Sequence, residues 1–266
     1  MKDFHALFGS NKPIIAMAHL LPLPGSALYD RDGGMAKIID AVQADISALQ
    51  AGGVDAIMFG NEGDRPYITQ ATPESLAAMT RIVTEVKSMI THPWGVNYLW
   101  DPVATIALAH ATGAQFVREV FTGVYDSDMG LWVPDAANAL RLRANLGANV
   151  QVFYNINAEF ASPVGTRSHA AKAQSAVFAS LADGICVSGP MTGQSVDVSH
   201  LREVKDVIPE TPVIANTGVR LNNVDQILDV ADAAIVGTSF KRDGNTWNPV
   251  DPERVTAFMD KVRSLR

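Results

Sequence analysis

The amino-acid sequence predicts a single (β/α)8 TIM barrel over residues 1–266. Short runs of β-branched and apolar residues alternate with helical patterns, and eight such units follow one another. The runs are apolar throughout, which is typical of parallel strands covered by helices. Gly-containing polar turns follow the last two runs, where barrels of this kind hold a phosphate. An open doubly wound sheet is the alternative, because only the number of strands separates the two arrangements.

Each predicted element ends at residues that cannot continue it. The first strand is followed by Leu21-Pro-Leu-Pro-Gly-Ser, which extends neither a strand nor a helix. Gly52-Gly53 ends the first long helix, and Pro73 and Pro102 open the next two. The predicted strands are 13–20, 55–61, 94–99, 115–120, 150–157, 184–189, 211–216 and 233–236. The predicted helices are 34–51, 73–90, 102–113, 135–146, 168–181, 199–207, 222–230 and a last helix from 252.

Composition and charge exclude several classes of protein. The net charge is −7 without any basic block, so nucleic acid is not expected as a partner. The first residues include an early acid and no long apolar run, so we expect neither a signal peptide nor a membrane span, and a cytoplasmic location. The single cysteine, Cys186, stands in an apolar run and is expected to be a buried hydrophobic residue, not a nucleophile.

Two successive turns near the C-terminal end of the chain predict an anion site. Thr217-Gly218 follows the seventh strand and Gly237-Thr238 follows the eighth. Glycine lets the backbone approach an anion, and the threonine hydroxyl adds a donor. Ordinary turns that bind nothing are the alternative. The candidate phosphate-binding residues are Ser188, Gly189, Thr217, Gly218, Gly237, Thr238 and Lys241.

Polar residues also stand near the C-terminal ends of most strands, where barrel enzymes carry their active sites. The candidate catalytic residues are His19, Asn61, Asn97, Glu119, Asn155 and Asn216. His19 and Glu119 titrate and are the expected acid and base, with Glu62 and Asp64 in reserve. Asparagine hydrogen-bonds sugar hydroxyls or a developing enolate without adding charge. Each residue taken singly is as well explained by a satisfied polar group of the core.

In the fourth strand, Arg118 and Glu119 are adjacent, and successive side chains of a strand point to opposite faces. Only one of the two can therefore face the lumen. If Gln115 and Val117 face the lumen, Glu119 faces it too. The sequence alone does not decide between the two residues.

The sequence does not specify a cofactor. A hard divalent ion with mixed nitrogen and oxygen ligands is the alternative, and its candidate ligands are His19, Glu62, Glu119 and Asp128. No spacing motif connects these residues, so no metal ligand is assigned.

Several segments together carry a family resemblance. They are Met17-Ala-His-Leu-Leu-Pro-Leu-Pro-Gly-Ser, Arg118-Glu-Val-Phe-Thr-Gly-Val-Tyr, Ser188-Gly-Pro-Met-Thr-Gly, Ala215-Asn-Thr-Gly-Val and Val236-Gly-Thr-Ser-Phe-Lys. In combination, and over nearly the whole chain, they resemble the BtpA/SgcQ family. The resemblance implies a fold similar to ribulose-phosphate-binding barrels. One branch of the family is named for photosystem I biogenesis in cyanobacteria, and another lies among sugar-uptake and sugar-phosphate genes.

The leading functional hypothesis is an enzyme that binds a small phosphorylated sugar or related metabolite. Its expected chemistry is proton transfer beside a carbonyl or carbon–carbon cleavage, as in isomerases, epimerases and aldolase-type lyases. The alternative is a non-catalytic assembly or regulatory factor for a membrane complex, which the name of the photosynthetic branch suggests. A homo-oligomer is expected in either case, because barrels of this size often pair.

Overall fold

A computed structural model describes residues 4–266. Within that range the strands are β1 (Ile14–His19), β2 (Ala56–Gly60), β3 (Trp94–Asn97), β4 (Phe116–Glu119), β5 (Tyr125–Ser127), β6 (Gly130–Trp132), β7 (Gln151–Asn155), β8 (Ala161–Pro163), β9 (Gly184–Val187), β10 (Val213–Ala215) and β11 (Ala233–Val236). The α-helices are α1 (Phe4–Phe8), α2 (Gly34–Gly52), α3 (Pro73–Val86), α4 (Pro102–Thr112), α5 (Ala136–Asn145), α6 (His169–Ser180), α7 (Val198–Val207), α8 (Val224–Leu228) and α9 (Pro252–Arg263).

Eight of these strands close into a parallel barrel in the order β1-β11-β10-β9-β7-β4-β3-β2. β1 pairs in parallel with both β2 and β11, so the barrel sheet has no free edge. The predicted (β/α)8 barrel is confirmed, and the open doubly wound sheet is excluded. β10 and β11 are the seventh and eighth strands of the barrel, and β7 and β9 are its fifth and sixth.

Capping residues fix where several helices begin and end. The side chain of Asp101 accepts hydrogen bonds from two backbone N–H groups in the first turn of α4, which opens with Pro102. Thr72 caps α3 in the same way, through the N–H of Ser75. Gly53 ends α2 in the left-handed conformation, with φ of 79°.

The N-terminal end of the barrel is sealed by α1, a helix that the sequence pattern did not predict. Phe8 packs edge-on against Phe116 with ring centroids 5.4 Å apart, and Phe4 packs against Phe153 at 5.8 Å. Both pairs belong to the buried apolar cluster that fills the lumen. Because this end is filled with aromatic rings, a ligand has to enter from the C-terminal end.

The register of β4 corrects the expectation for the fourth strand. Phe116 lies in the lumen cluster, whereas Val117 packs in the outer core between strands and helices. Arg118 therefore follows the inward parity, and of the two registers that the sequence left open, the one with Gln115 and Val117 inward is not adopted. Glu119 has the outward parity, yet it lines the pocket because β4 ends there.

A three-stranded antiparallel sheet, ordered β6-β5-β8, stands beside the mouth of the barrel. It is built from the long loop after β4 and from the loop after β7, and the sequence predicted it as irregular loop. Trp132 and Tyr125 of this sheet bury their rings in a cluster with Trp100, Val120 and Ala158. The insertion thus supports one side of the mouth.

Candidate functional site

A pocket of about 830 Å³, including its open mouth, occupies the C-terminal end of the barrel. Its lining residues are Met17, His19, Glu62, Tyr67, Leu99, Trp100, Arg118, Glu119, Val120, Asn155, Glu159, Phe160, Thr192, Gly193, Asn216, Thr217, Gly218, Val219, Arg220, Ile235, Gly237, Thr238 and Ser239. The loops that follow all strands of the barrel except β1 therefore contribute to the pocket or to its rim.

The loops after β9, β10 and β11 form a polar wall of backbone and hydroxyl groups, where the sequence predicted the phosphate. Gly218 has φ of +64°, and a Cβ there would lie 2.3 Å from the carbonyl carbon of Gln194. Only glycine lets these two loops approach so closely. Gly237 is similarly restricted, because a Cβ would lie 2.9 Å from Cε1 of His19. The polar wall thus consists of backbone brought together by glycines.

The floor of the pocket contains buried polar atoms that have no hydrogen-bond partner within residues 4–266. They are His19 Nδ1, Glu62 Oε2, Arg118 Nε, Asn155 Oδ1 and Asn216 Oδ1. A buried polar group without a partner costs about 1–3 kcal/mol. Five such atoms in one pocket indicate that a bound ligand or water supplies the missing partners.

Arg118 is the central positive charge of this floor. Its side chain is buried, the residue being 8% exposed, and among the described residues it forms no ion pair. Its charge lowers the pKa of Glu62, Glu119 and Glu159, but burial outweighs that effect in all three. A buried guanidinium without a carboxylate partner is suited to receive an anionic or strongly polarised oxygen of a ligand.

His19 and Glu62 form a close titratable pair. Nε2 of His19 lies 3.5 Å from Oε1 of Glu62. Burial, and then the charges of Lys241 and Arg118, hold the pKa of His19 well below its usual value, so the imidazole is neutral. Burial also raises the pKa of Glu62 to about 7. A carboxyl group that titrates near neutrality and has one free oxygen can both accept and return a proton.

Glu119 is held more firmly than Glu62. One oxygen accepts from Nδ2 of Asn97 at 2.8 Å and from the N–H of Trp100 at 3.1 Å, and the other accepts from the N–H of Val120 at 2.7 Å. Burial raises its pKa to about 7, while Arg118 and these N–H donors oppose the shift. With both oxygens occupied, Glu119 is better placed to orient Trp100 than to move a proton.

The other predicted residues divide between the pocket and its support. Asn155, Asn216, Thr217 and Thr238 line the pocket. Asn61 and Asn97 do not line it. Asn61 hydrogen-bonds Asp64 and the N–H of Leu99, because it follows the outward parity after Gly60. Ser188 and Gly189 do not line the pocket either, and they hydrogen-bond Asn216 and Thr217.

Lys241 corrects the predicted phosphate site, because its charge is already paired. The side chain is 2% exposed, and Nζ lies 2.6 Å from Oδ2 of Asp45 in α2. The other oxygen of Asp45 accepts the N–H of Val250. Lys241 does not line the pocket. Its ion pair instead attaches the loop after β11 to the outer helices.

Replacing Lys241 with methionine is expected to lower the free energy of unfolding by about 3–5 kcal/mol, because Asp45 is left buried and unpaired. Adding Asp45→Asn should recover much of that loss, since the amide oxygen still accepts from Val250. Urea unfolding measures both variants. If Lys241→Met is as stable as the unaltered protein but has lost its affinity for phosphate, Lys241 belongs to the anion site.

Sequence reasoning missed or underrated several residues of the pocket. Glu62 was held in reserve, and Arg118 was set aside by the wrong register of β4. The apolar first residue of that strand, Phe116, was the available signal for the correct register. Glu159 and the aromatic residues Tyr67 and Phe160 stand in irregular loops, where no periodicity identifies them.

The candidate metal ligands do not form a site. Among residues 4–266, no group of three or more His, Cys, Asp or Glu side chains is arranged to hold a metal ion. His19, Glu62 and Glu119 line the pocket, but Asp128 does not and stands in the turn between β5 and β6.

Cys186 is buried in the lumen cluster, and burial raises its pKa to about 12. Within residues 4–266, every helix is too short or too polar to cross a membrane.

Comparison with known proteins places this chain among relatives of similar length. It is 46% identical to the putative sgc region protein SgcQ of Escherichia coli (strain K12), over 98% of this chain and 97% of that protein. It is 34% identical to the photosystem I biogenesis protein BtpA of Synechocystis sp., over 98% and 91% of the two chains. A dihydropteroate synthase structure from Xanthomonas albilineans shares the fold, with TM-score 0.59, 14% identity and coverage of 96% and 91%. The family model described as BtpA family matches residues 10–264. The chain therefore belongs to the BtpA family.

Proposed function

We propose that this protein is an enzyme that binds a small phosphorylated sugar or related metabolite and transfers a proton beside its carbonyl group. The convergence of buried, unpartnered polar atoms around Arg118 carries the proposal. A structural pocket has no need of such a floor, whereas a ligand with hydroxyl and carbonyl oxygens satisfies it. The polar wall built from the loops after β10 and β11 is where a barrel binds phosphate.

The proposed roles follow from charge and distance. Glu62, in its ionised form, removes a proton from the carbon next to the carbonyl. The electron pair moves to the carbonyl oxygen, where the Arg118 guanidinium stabilises the developing negative charge. Neutral His19 lies beside Glu62 and hydrogen-bonds a substrate hydroxyl. When Glu62 returns the proton to the former carbonyl carbon, and the hydroxyl proton of the first carbon passes to the former carbonyl oxygen, the product is the isomer with its carbonyl group moved by one carbon.

A ligand panel tests the function directly. Ribose 5-phosphate, other pentose and hexose phosphates and the matching free sugars are added to the purified protein in a thermal-shift and calorimetry screen. A ligand at a hundredfold its Kd stabilises the folded state by about 2.7 kcal/mol. We expect phosphorylated sugars to stabilise the protein and the free sugars not to do so. No stabilisation by any phosphate in the panel would remove the proposal.

The position of the phosphate is tested with a matched pair of variants at Gly193. This residue has φ of +81° and lines the pocket, and a Cβ there would meet only Thr238, at 3.8 Å. Asn and Asp have nearly the same shape and both tolerate this conformation. We expect Gly193→Asp to bind sugar phosphates on the order of a hundredfold more weakly than Gly193→Asn, because its carboxylate repels the phosphate. Equal affinities would put the phosphate elsewhere.

A second candidate function rests on the name of the Synechocystis relative. On that hypothesis the protein assists assembly of a membrane complex and its pocket has no catalytic role. The ligand panel separates the two candidates, because an assembly factor has no need to discriminate sugar phosphates from free sugars. Homo-oligomer formation is part of either proposal, and light scattering gives the mass that tests it.

A further inference from the structure

The pocket has two chemically different walls. Besides the polar wall, the loops after β2, β3 and β7 present three aromatic side chains: Tyr67, Trp100 and Phe160. The centroid of the Tyr67 ring lies 6.3 Å from that of Trp100 and 6.3 Å from that of Phe160. We call these three side chains the aromatic wall. A phosphate and a short carbon chain make no use of such a surface.

The backbone of the aromatic wall is strained. Trp100 has φ of 70° and Phe160 has φ of 53°, so both lie in the left-handed region that bulky residues rarely adopt. Such conformations persist where the surroundings impose them, and they cluster at ligand sites. Glu119 imposes the first by accepting the N–H of Trp100, and the ring of Trp132 packs edge-on against Trp100 at 4.8 Å. The small antiparallel sheet therefore holds Trp100 in place.

Trp100 also carries a buried hydrogen-bond donor, its indole N–H. The residue is 5% exposed, and within the described residues its indole Nε1 has no hydrogen-bond partner. Buried tryptophan N–H groups usually find a partner. In a residue that lines the pocket, this missing partner is a second sign that the wall is shaped for a ligand.

We propose that the ligand carries, besides its phosphate, a ring with a flat apolar face that stacks on Tyr67, Trp100 and Phe160. This inference rests on the proposed function and specifies its substrate class: a phosphorylated pentose or similar sugar that bears a planar ring and retains, or opens to, the carbonyl group that the proton transfer requires. Aromatic side chains stack on planar rings through their π-faces. Glu62 and Arg118 line the same pocket and are then left to contact the sugar.

The test compares ligands that differ only in the ring or only in the phosphate. Calorimetry is run with ribose 5-phosphate, adenosine 5′-monophosphate, adenosine and a phenyl riboside 5-phosphate. Comparing adenosine 5′-monophosphate with the phenyl riboside 5-phosphate separates the effect of a nucleobase from that of a simple aromatic ring. We expect at least one ring-bearing phosphate to bind on the order of tenfold or more tightly than ribose 5-phosphate.

Variants of the aromatic wall then test whether contact with the ligand's ring causes this gain in affinity. Tyr67→Leu and Phe160→Leu replace half-buried rings by apolar side chains and should abolish the gain, so that each variant binds the ring-bearing phosphates no more tightly than ribose 5-phosphate. Phe178→Leu, at an 89% exposed position on α6, is the matched control and should retain the gain. Thermal unfolding of each variant confirms that it is folded.

The outcomes separate this inference from the function on which it rests. If ribose 5-phosphate binds and neither ring adds affinity, the inference is overturned and the phosphate proposal stands. If adenosine binds as well as its phosphate, and the leucine variants abolish that binding, the aromatic wall is a ring site and the phosphate proposal falls. If none of the four compounds binds while another sugar phosphate of the first panel does, only this inference is overturned. If no phosphate of either set binds, both are overturned.

Discussion

Replacing Arg118 with methionine is expected to weaken binding of sugar phosphates by about a hundredfold or more without lowering the stability of the free protein. In the free protein the guanidinium is buried and unpaired, so its removal relieves a desolvation cost. In the complex it contacts the developing or resident negative charge, and loss of a buried charged partner costs about 2–5 kcal/mol. Calorimetry and urea unfolding measure the two effects.

Arg220→Met is the matched control for Arg118. Arg220 is exposed at the rim of the pocket and donates to the carbonyl of Gly193 at 2.6 Å. Its loss should weaken binding only modestly, and less so at high salt, because charges in contact with solvent are screened. Undiminished affinity of Arg118→Met, or a fall in its stability, would contradict the role assigned to Arg118.

The second large effect is expected at Glu62. Glu62→Gln should retain ligand binding and reduce turnover by about 10²- to 10⁴-fold, which is the usual contribution of a positioned acid or base. Glu159→Gln is the control, since its carboxylate accepts from Thr192 at 2.8 Å and the pocket floor does not require it to ionise. Turnover of Glu62→Gln close to that of the unaltered protein would exclude Glu62 as the base.

The stability of Glu62→Gln should also depend on pH differently from that of the unaltered protein. Folding raises the pKa of Glu62 from its usual 4.5 to about 7, so the native state favours the protonated form. The contribution of Glu62 to the free energy of unfolding is fully present below pH 4.5 and is lost as the pH rises through about 7. Above that pH the glutamine variant should be more stable by up to about 3 kcal/mol. Unfolding in urea at pH 5 and pH 8 gives the difference.

The barrel was predictable because its eight strands and the helices between them leave local patterns in the sequence. Apolar runs, Gly53 at a helix end and Pro102 at a helix start depend on neighbours in sequence, and all appear at the expected places. The small sheet escaped prediction because β5, β6 and β8 are three residues each and exist only by pairing across the chain. The seal by α1 likewise depends on packing of Phe4 and Phe8 against distant strands.

The candidate site was predictable where a side chain stands at a strand end. His19, Asn155 and Asn216 follow the inward alternation of their strands and line the pocket. Lys241 shows the limit of such reasoning, because its partner Asp45 lies 196 residues away. Arg118 shows another limit, since a register shifted by one residue exchanges the two faces of a strand.

The antiparallel pairing of β5 with β8 has a consequence for the engineering and divergence of this barrel. Loop grafting between (β/α)8 proteins treats each βα loop as an independent module. Here the loop after β4 and the loop after β7 share backbone hydrogen bonds, with Tyr125 opposite Pro163 and Ser127 opposite Ala161. A graft that exchanges one of these loops alone leaves an unpaired strand edge at the mouth of the barrel. The two loops therefore have to be transplanted as one unit.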